Sequence, residues 1–322
     1  MSLQATPRTQ LDPASLDWLG AVVSQQRADL VARWDAASLA AVQPVASAPF
    51  LSVAAGRVGG HWYYVTLGCA VARARDTERP GLLPELTIRI PATEPAPPAW
   101  PALVLWDVAA RGLPLERDTV VPYQIAACPD VVALALSVDR GFVLPVMSPV
   151  GLIKPLQLVG LTASEAAVAQ SWNVASVLVM FARVDRNMLM GPRLSIVAMP
   201  ELADELGAAV AAEVDPARAL AIPGLDWDLT DEHSAAISLS HVWCALLASL
   251  VKHRLGNHLP LRLAHDGREL LLQPADATGW SVEGDRLVLG LARASAQQLA
   301  AELATAASRI ELAGVPLIVV LP

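Results

Sequence analysis

The stretch SPVGLIKPLQLVGLTASEAAVAQSWNVASVLVMFAR, Ser148 to Arg183, decides how this chain is read. It opens on an apolar run, Leu152 to Leu161, short enough to be a buried strand. Thr162 follows, with Glu165 three positions on. That is the pattern of a capping box, in which the hydroxyl takes a free amide of the first turn and the carboxylate reaches back. A short helix is predicted from there to about Gln170. Asn173 is a good N-cap for a second helix. That helix is apolar on nearly every face (Val174, Val177, Leu178, Val179, Met180, Phe181), which predicts burial. No nucleophile, acid pair or ligand cluster lies in the stretch.

Working outward, 322 residues are enough for two domains that each bury a core. Hydrophobic residues make up 54% and charged ones 17%, which excludes a disordered chain. No apolar run reaches the roughly 18 residues of a spanning helix. Val131 to Met147 comes nearest, and Asp139-Arg140 splits it. The N-terminus, MSLQATPRTQ, lacks the basic-then-apolar pattern of a secretion signal. Cys69, Cys128 and Cys244 are odd in number and form no CxxC pair, so reduced thiols in a cytoplasm are expected. A net charge of −8 argues against nucleic acid and favours a basic protein partner.

Residues 1–48 read as helical in patches, with Leu16, Leu19, Val22 and Val23, then Leu30, Val31 and Trp34, at helical spacing. A strand at His61 to Leu67 follows a glycine-rich turn, Gly56 to Gly60. Glu85 to Ile90 alternates strictly, Leu86, Ile88 and Ile90 against Thr87 and Arg89, and reads as a half-buried strand. After the proline-rich Ala92 to Pro101, a helix is expected from Ala102 to Ala110. Strands are expected at Val120 to Tyr123, Val131 to Val138 and Arg193 to Met199. Glu201 to Val214 reads as helix, and so does Ser234 to Leu255. Asp266-Gly267 signals a hairpin turn between Leu259–Leu263 and Glu269–Leu272. Arg286 to Leu291 is a strand, Ser295 to Ala306 a helix capped by Ser295, and Val315 to Leu321 a closing strand.

Chemistry is hard to find. His253 and His258 stand five apart, on different helix faces, and no H-E-x-x-H occurs. Asp226-x-Asp228 lacks a third oxygen donor for a cation. Gly279-Trp280-Ser281 would need glycine at Glu283 to be a nucleophile elbow. Gly56-x-x-Gly59-Gly60 lacks the order of a phosphate cradle. Trp62, Trp100 and Trp172 read as anchors of the fold. No catalytic residue, metal ligand or cofactor is expected.

Several motifs together resemble the suppressor of fused family. They are P-x-G at Pro149, the strand ending Leu158-Val159-Gly160, Thr162-x-x-Glu165, and Ala169-x-x-Trp172-Asn173. Upstream, HWYYVTLG from His61 resembles the family's H-W-x-Y strand, and PPAWP from Pro97 its P-P-x-W-P. Glu85-Leu86-Thr87 and Asp226-Trp227-Asp228 keep family order, and LPLRLAHDGRELL from Leu259 is similar to a family strand pair. The resemblance implies an α/β (α+β) fold with two mixed-sheet domains and packed helices, residues 1–228 and 229–322.

It also implies a function. Animal members sequester GLI-type transcription factors, whose peptide adds as a strand in a cleft between the two domains. Carried over by position, the acid that pairs the peptide falls on Asp118. The accepting edges fall on Val120, Val121 and Tyr123, and on the stretch Ala219 to Leu225, including Ala221 and Leu225. Leu261 closes the cleft. There are departures: the family's aromatic before the acid aligns near Gly112, and Pro223 removes a donor from the second edge. The animal peptide is therefore not the expected ligand. Short linkers and a high alanine content suggest a bacterial member, for which the resemblance implies an immunity protein that neutralises a toxin. Two alternatives stay open: an enzyme or small-molecule binder using the cleft, with Asp118 or Asp226 as its acid, and an intracellular scaffold.

Overall fold

A computed structural model describes residues 39–44, 52–58, 60–67, 69, 84–111, 115–140, 146–148, 151–153, 155–213, 218–231, 234–305, 309–312 and 317–320. The helical spacing between Leu16 and Trp34 lies outside these residues, as does Gly112.

Residues 39–44 are not helical. They form strand β1 (Leu39–Pro44), antiparallel to β2 (Ser52–Val58). β2 takes in Gly56, Gly60 lies in the turn that follows, and β3 (His61–Leu67) returns antiparallel beside β2. β4 (Leu86–Pro91) pairs antiparallel with β3. Helix α1 (Trp100–Ala110) follows, its start fixed by Pro101 in the first turn. Then come β5 (Val120–Pro122), β6 (Ala133–Val138), β7 (Val146–Ser148), β8 (Gly151–Ile153) and β9 (Leu156–Leu161). The apolar run of the deciding stretch is thus divided between β8 and β9. All six residues of β9 are buried. One mixed sheet takes the order β1-β2-β3-β4-β9-β6-β5, with β4 and β9 parallel.

The next elements are α2 (Ala163–Ser171), α3 (Val174–Val184), a 3-10 turn at Ile196–Ala198 and α4 (Pro200–Glu213). The strand expected at Arg193 to Met199 is this 3-10 turn; its Ser195 hydroxyl accepts the Val197 N–H and stops extension. β10 (Leu220–Ala221), β11 (Asp226–Asp231) and β12 (Ser234–Ser238) follow. The long helix expected from Ser234 is therefore a strand first. It becomes a 3-10 turn at His241–Trp243, then α5 (Cys244–Leu250), then a π turn at Val251–Leu255. β12 is extended because it pairs in parallel with a distant strand, Leu317–Val320.

β13 (Leu261–His265) and β14 (Arg268–Pro274) flank the predicted hairpin turn. Asp266 and Gly267 there have φ of 46° and 84°, both left-handed, as a two-residue hairpin turn of the I′ type needs. β15 (Gly279–Glu283), β16 (Arg286–Leu291), α6 (Arg293–Ala304), β17 (Arg309–Glu311) and β18 (Leu317–Val320) complete the order. Ala292, not Ser295, is the N-cap of α6. Ser295 lies inside the helix, its oxygen accepting from the Thr278 hydroxyl at 2.7 Å.

Two compact units emerge, and both are mixed α/β. The first holds residues 1–117, 136–159 and 189–191. In it α1 packs on β3 and β4, burying Tyr64, Leu86, Ile88, Leu105 and Val108. β4 keeps its period of two, but Thr87 and Arg89 are buried as well, so this strand is covered on both faces. The second unit holds residues 118–135, 160–188 and 192–322. Two sheets lie wholly in it, ordered β10-β13-β14-β16-β15 and β11-β12-β18-β17. Its helical core packs α4 against α5 and α5 against α6, around Leu206, Val210, Trp243 and Leu246. Asp228 and Leu229, where the sequence was divided, both lie within β11.

α3 is more amphipathic than its sequence suggests. Val177, Leu178, Met180 and Phe181 are buried, whereas Val179 and Val184 are 46% and 49% exposed.

Candidate functional site

All seven residues assigned to peptide binding lie in the second unit. β5 is the last strand of its sheet, so one side of it meets no strand among the described residues. Tyr123 N–H donates to the Val132 carbonyl at 3.0 Å, on the β6 side. Antiparallel alternation then turns Val121 toward β6 and turns the peptide groups of Val120 and Pro122 away. The open edge offers the Val120 N–H and two carbonyls; Pro122 brings no donor. Asp118 precedes this edge in a turn with φ of 62°. Aspartate tolerates that left-handed conformation better than most residues.

β10 is the end strand of the second sheet. Ile222 N–H donates to the Ala264 carbonyl, which leaves the Ala221 peptide groups facing outward. The Ser171 hydroxyl at the end of α2 accepts the Ala221 N–H at 2.9 Å. Pro223 has no N–H to offer, so this edge presents an acceptor and an occupied donor. Helix α2 packs against both β5 and β10. The two edges are neighbours of one helix.

Val121, Leu225 and Leu261 are core residues, 6%, 2% and 4% exposed. Their side chains lie in the core behind the edges. A hole lined by Leu261, Ser171 and Arg254 has about 10 Å³ for water centres, room for one water at most.

The capping box is present and does more than cap. Glu165 accepts the Thr162 N–H and the Ile196 N–H, both at 2.9 Å. The same carboxylate takes both Arg193 nitrogens, at 2.5 and 2.6 Å, and is fully buried. Arg193 in turn stacks on Phe181, 3.9 Å from the ring centre. Asn173 caps α3 through the Ala175 N–H. Sequence reasoning missed Arg193, whose only signal was a charge in a stretch read as strand.

The other candidates have structural partners. Asp226 pairs with Arg268 at 3.1 Å. His253 lies 3.6 Å from Asp204. Gly279 to Ser281 is strand, with the turn at Gly284. Among the described residues no three His, Cys, Asp or Glu groups are placed to hold a metal, and no helix is long and apolar enough to cross a membrane. Cys69, Cys128 and Cys244 are buried and form no disulfide among the described residues. Burial raises the Cys128 thiol and pushes Cys244 up to about 11.

Residues 47–192 match the family described as Suppressor of fused protein (SUFU). Over that stretch the chain is similar to that family. The crystal structure of Drosophila Suppressor of Fused is similar at 15% identity, covering 84% of this chain and 88% of that one, with a TM-score of 0.44. The Sufu–Fu complex structure is similar at 20% identity over 48% of this chain and 81% of that one, TM-score 0.41. A SUFU homologue from Neisseria gonorrhoeae is similar at 14% identity over 56% and 97%, TM-score 0.40. No curated protein sequence matches.

Proposed function

We propose that this protein is a non-enzymatic binding module that takes a peptide of a protein partner as an added strand along β5. The carrying observation is the open edge at Val120, led by Asp118 and sharing helix α2 with the second edge at Ala221. Added strands gain affinity from backbone hydrogen bonds and specificity from flanking side chains. Here the Val120 N–H and C=O supply the first, and Asp118 and the half-buried Tyr123 supply the second. The similarity of residues 47–192 to the Suppressor of fused family supports the class.

The partner in this reading is basic, because the chain carries −8 and Asp118 stands at the head of the edge. We propose a toxin polypeptide neutralised in the bacterial cytoplasm. The support is the resemblance and the acidic charge.

The test is capture from lysate with the wild-type protein beside Asp118→Arg and Asp118→Asn, the retained proteins being identified by mass spectrometry. Asparagine keeps the left-handed turn and removes only the charge. One basic polypeptide held by wild type, weakened by Asp118→Asn and lost with Asp118→Arg, is the expected result. Equal retention by all three removes Asp118 and the β5 edge from the site. A retained protein with no toxic activity on expression alone removes the immunity reading.

A further inference from the structure

The C-terminal end of α5 is irregular in three consecutive ways. Val251–Leu255 winds as a π turn, a form that occurs mostly as short insertions, often at functional sites. Gly256 follows, and a Cβ there would sit 2.4 Å from the Lys252 carbonyl oxygen, so no other residue fits without a shift. His258 is held at a φ of 59°. The left-handed backbone of His258 persists only where surrounding structure maintains it, and such conformations gather at binding sites.

This segment is one wall of a cavity of about 520 Å³, within the roughly 300–1,000 Å³ range of ligand pockets. The opposite wall is the first half of α6, and the floor is the ends of β14 and β16 at Pro274 and Leu291. Pro274, Ala275, Ala296 and Ala300 give the cavity its accessible apolar lining, laid over the buried Val251, Leu255 and Leu291. Its charge is opposite in sign to that of the chain. Lys252 and Arg293 line it against the single acid Asp276, although the chain has 23 basic and 31 acidic residues. The Lys252 ammonium is 3.5 Å from Asp204, whereas Arg293 makes no ion pair or hydrogen bond through its side chain among the described residues. Arg293 is also the first residue of α6, whose N-cap Ala292 supplies no side-chain acceptor. The positive end of the helix dipole and the guanidinium act together there.

We propose that this cavity binds a small amphipathic anion, with a carboxylate or phosphate head at the exposed Arg293 and an apolar body against Pro274, Ala296 and Ala300. The site is independent of the β5 edge.

The test titrates the full chain with octanoate and octyl phosphate by calorimetry, with octylammonium as the opposite-charge control. Arg293→Glu reverses the charge and retains the helix, because an acid suits the first turn. Ala296→Trp fills the cavity. Saturable binding of either anion is expected, weakened about tenfold or more by Arg293→Glu and abolished by Ala296→Trp. Preference between the two anions identifies the head group. Equal binding of octylammonium, no binding of either anion at millimolar concentration, or no effect of Arg293→Glu overturns the proposal.

Discussion

Arg89 and Asp139 form an ion pair within the first unit, their side chains 6% and 0% exposed. The Tyr63 and Thr87 hydroxyls both donate to the second oxygen of the same carboxylate, each at 2.5 Å. Arg89 also lies over the Tyr63 ring, 5.0 Å from its centre. A charge this deep is tolerated because it is paired and hydrogen-bonded; removing Asp139 leaves the Arg89 charge without it.

Asp139→Ala is therefore expected to cost about 3–5 kcal/mol, a large part of an ordinary domain's 5–15 kcal/mol. Replacing the group together, as Tyr63→Phe, Arg89→Met and Asp139→Leu, should retain more stability than Asp139→Ala alone. Urea unfolding of the two variants beside wild type checks this. A single variant within about 1 kcal/mol of wild type contradicts the buried-pair account.

Alkaline pH should weaken the fold. Burial, then the Asp139 charge, holds the Tyr63 hydroxyl well above its ordinary value. Burial, then Glu94, raises Tyr64. Burial likewise raises Cys128 and pushes Cys244 up to about 11. In each case the folded pKa exceeds the unfolded one, so the unfolded chain loses its proton first. The stabilising contribution is whole below the unfolded values, about 8.5 for thiols and 10 for phenols, and is lost as pH rises through the folded ones. The urea midpoint should fall steadily from about pH 9 upward. A midpoint that climbs between pH 9 and 11 refutes this assignment.

Glu165 separates two readings of its motif. A capping residue alone is worth about 1 kcal/mol. A buried carboxylate that holds Arg193 and two backbone amides is worth about 3–5 kcal/mol when lost. Glu165→Ala should show the larger figure and Thr162→Ala the smaller. Equal losses in the two variants would reduce Glu165 to a cap.

Gly207 sets how closely α4 and α5 approach. A Cβ there would lie 2.4 Å from the Ser249 hydroxyl and 2.6 Å from its Cβ. That hydroxyl donates to the Asp204 carbonyl at 2.9 Å. Gly207→Ala should cost about 1–3 kcal/mol through overpacking. Adding Ser249→Gly removes both close atoms and should recover part of the loss, as a thermal melt of the single and double variants would show.

Local chemistry was legible in the sequence by itself. Thr162 with Glu165, Asn173, and Asp266-Gly267 each act within a few residues, through a cap or a turn whose geometry the side chains fix. The alternation at Leu86 to Ile90 was equally plain. Tertiary structure decided what each local pattern would meet. Thr87 and Arg89 are buried because Asp139, fifty residues on from Arg89, covers them. Ser234 to Ser238 is extended because Leu317 to Val320 pairs with it, although its apolar spacing suits a helix. At the candidate site, the sequence suggested an edge at Val120 with Asp118 ahead of it only through its resemblance to the suppressor of fused family. That Val121, Leu225 and Leu261 turn inward depends on strand register and on packing between segments far apart in the chain, which no local pattern encodes.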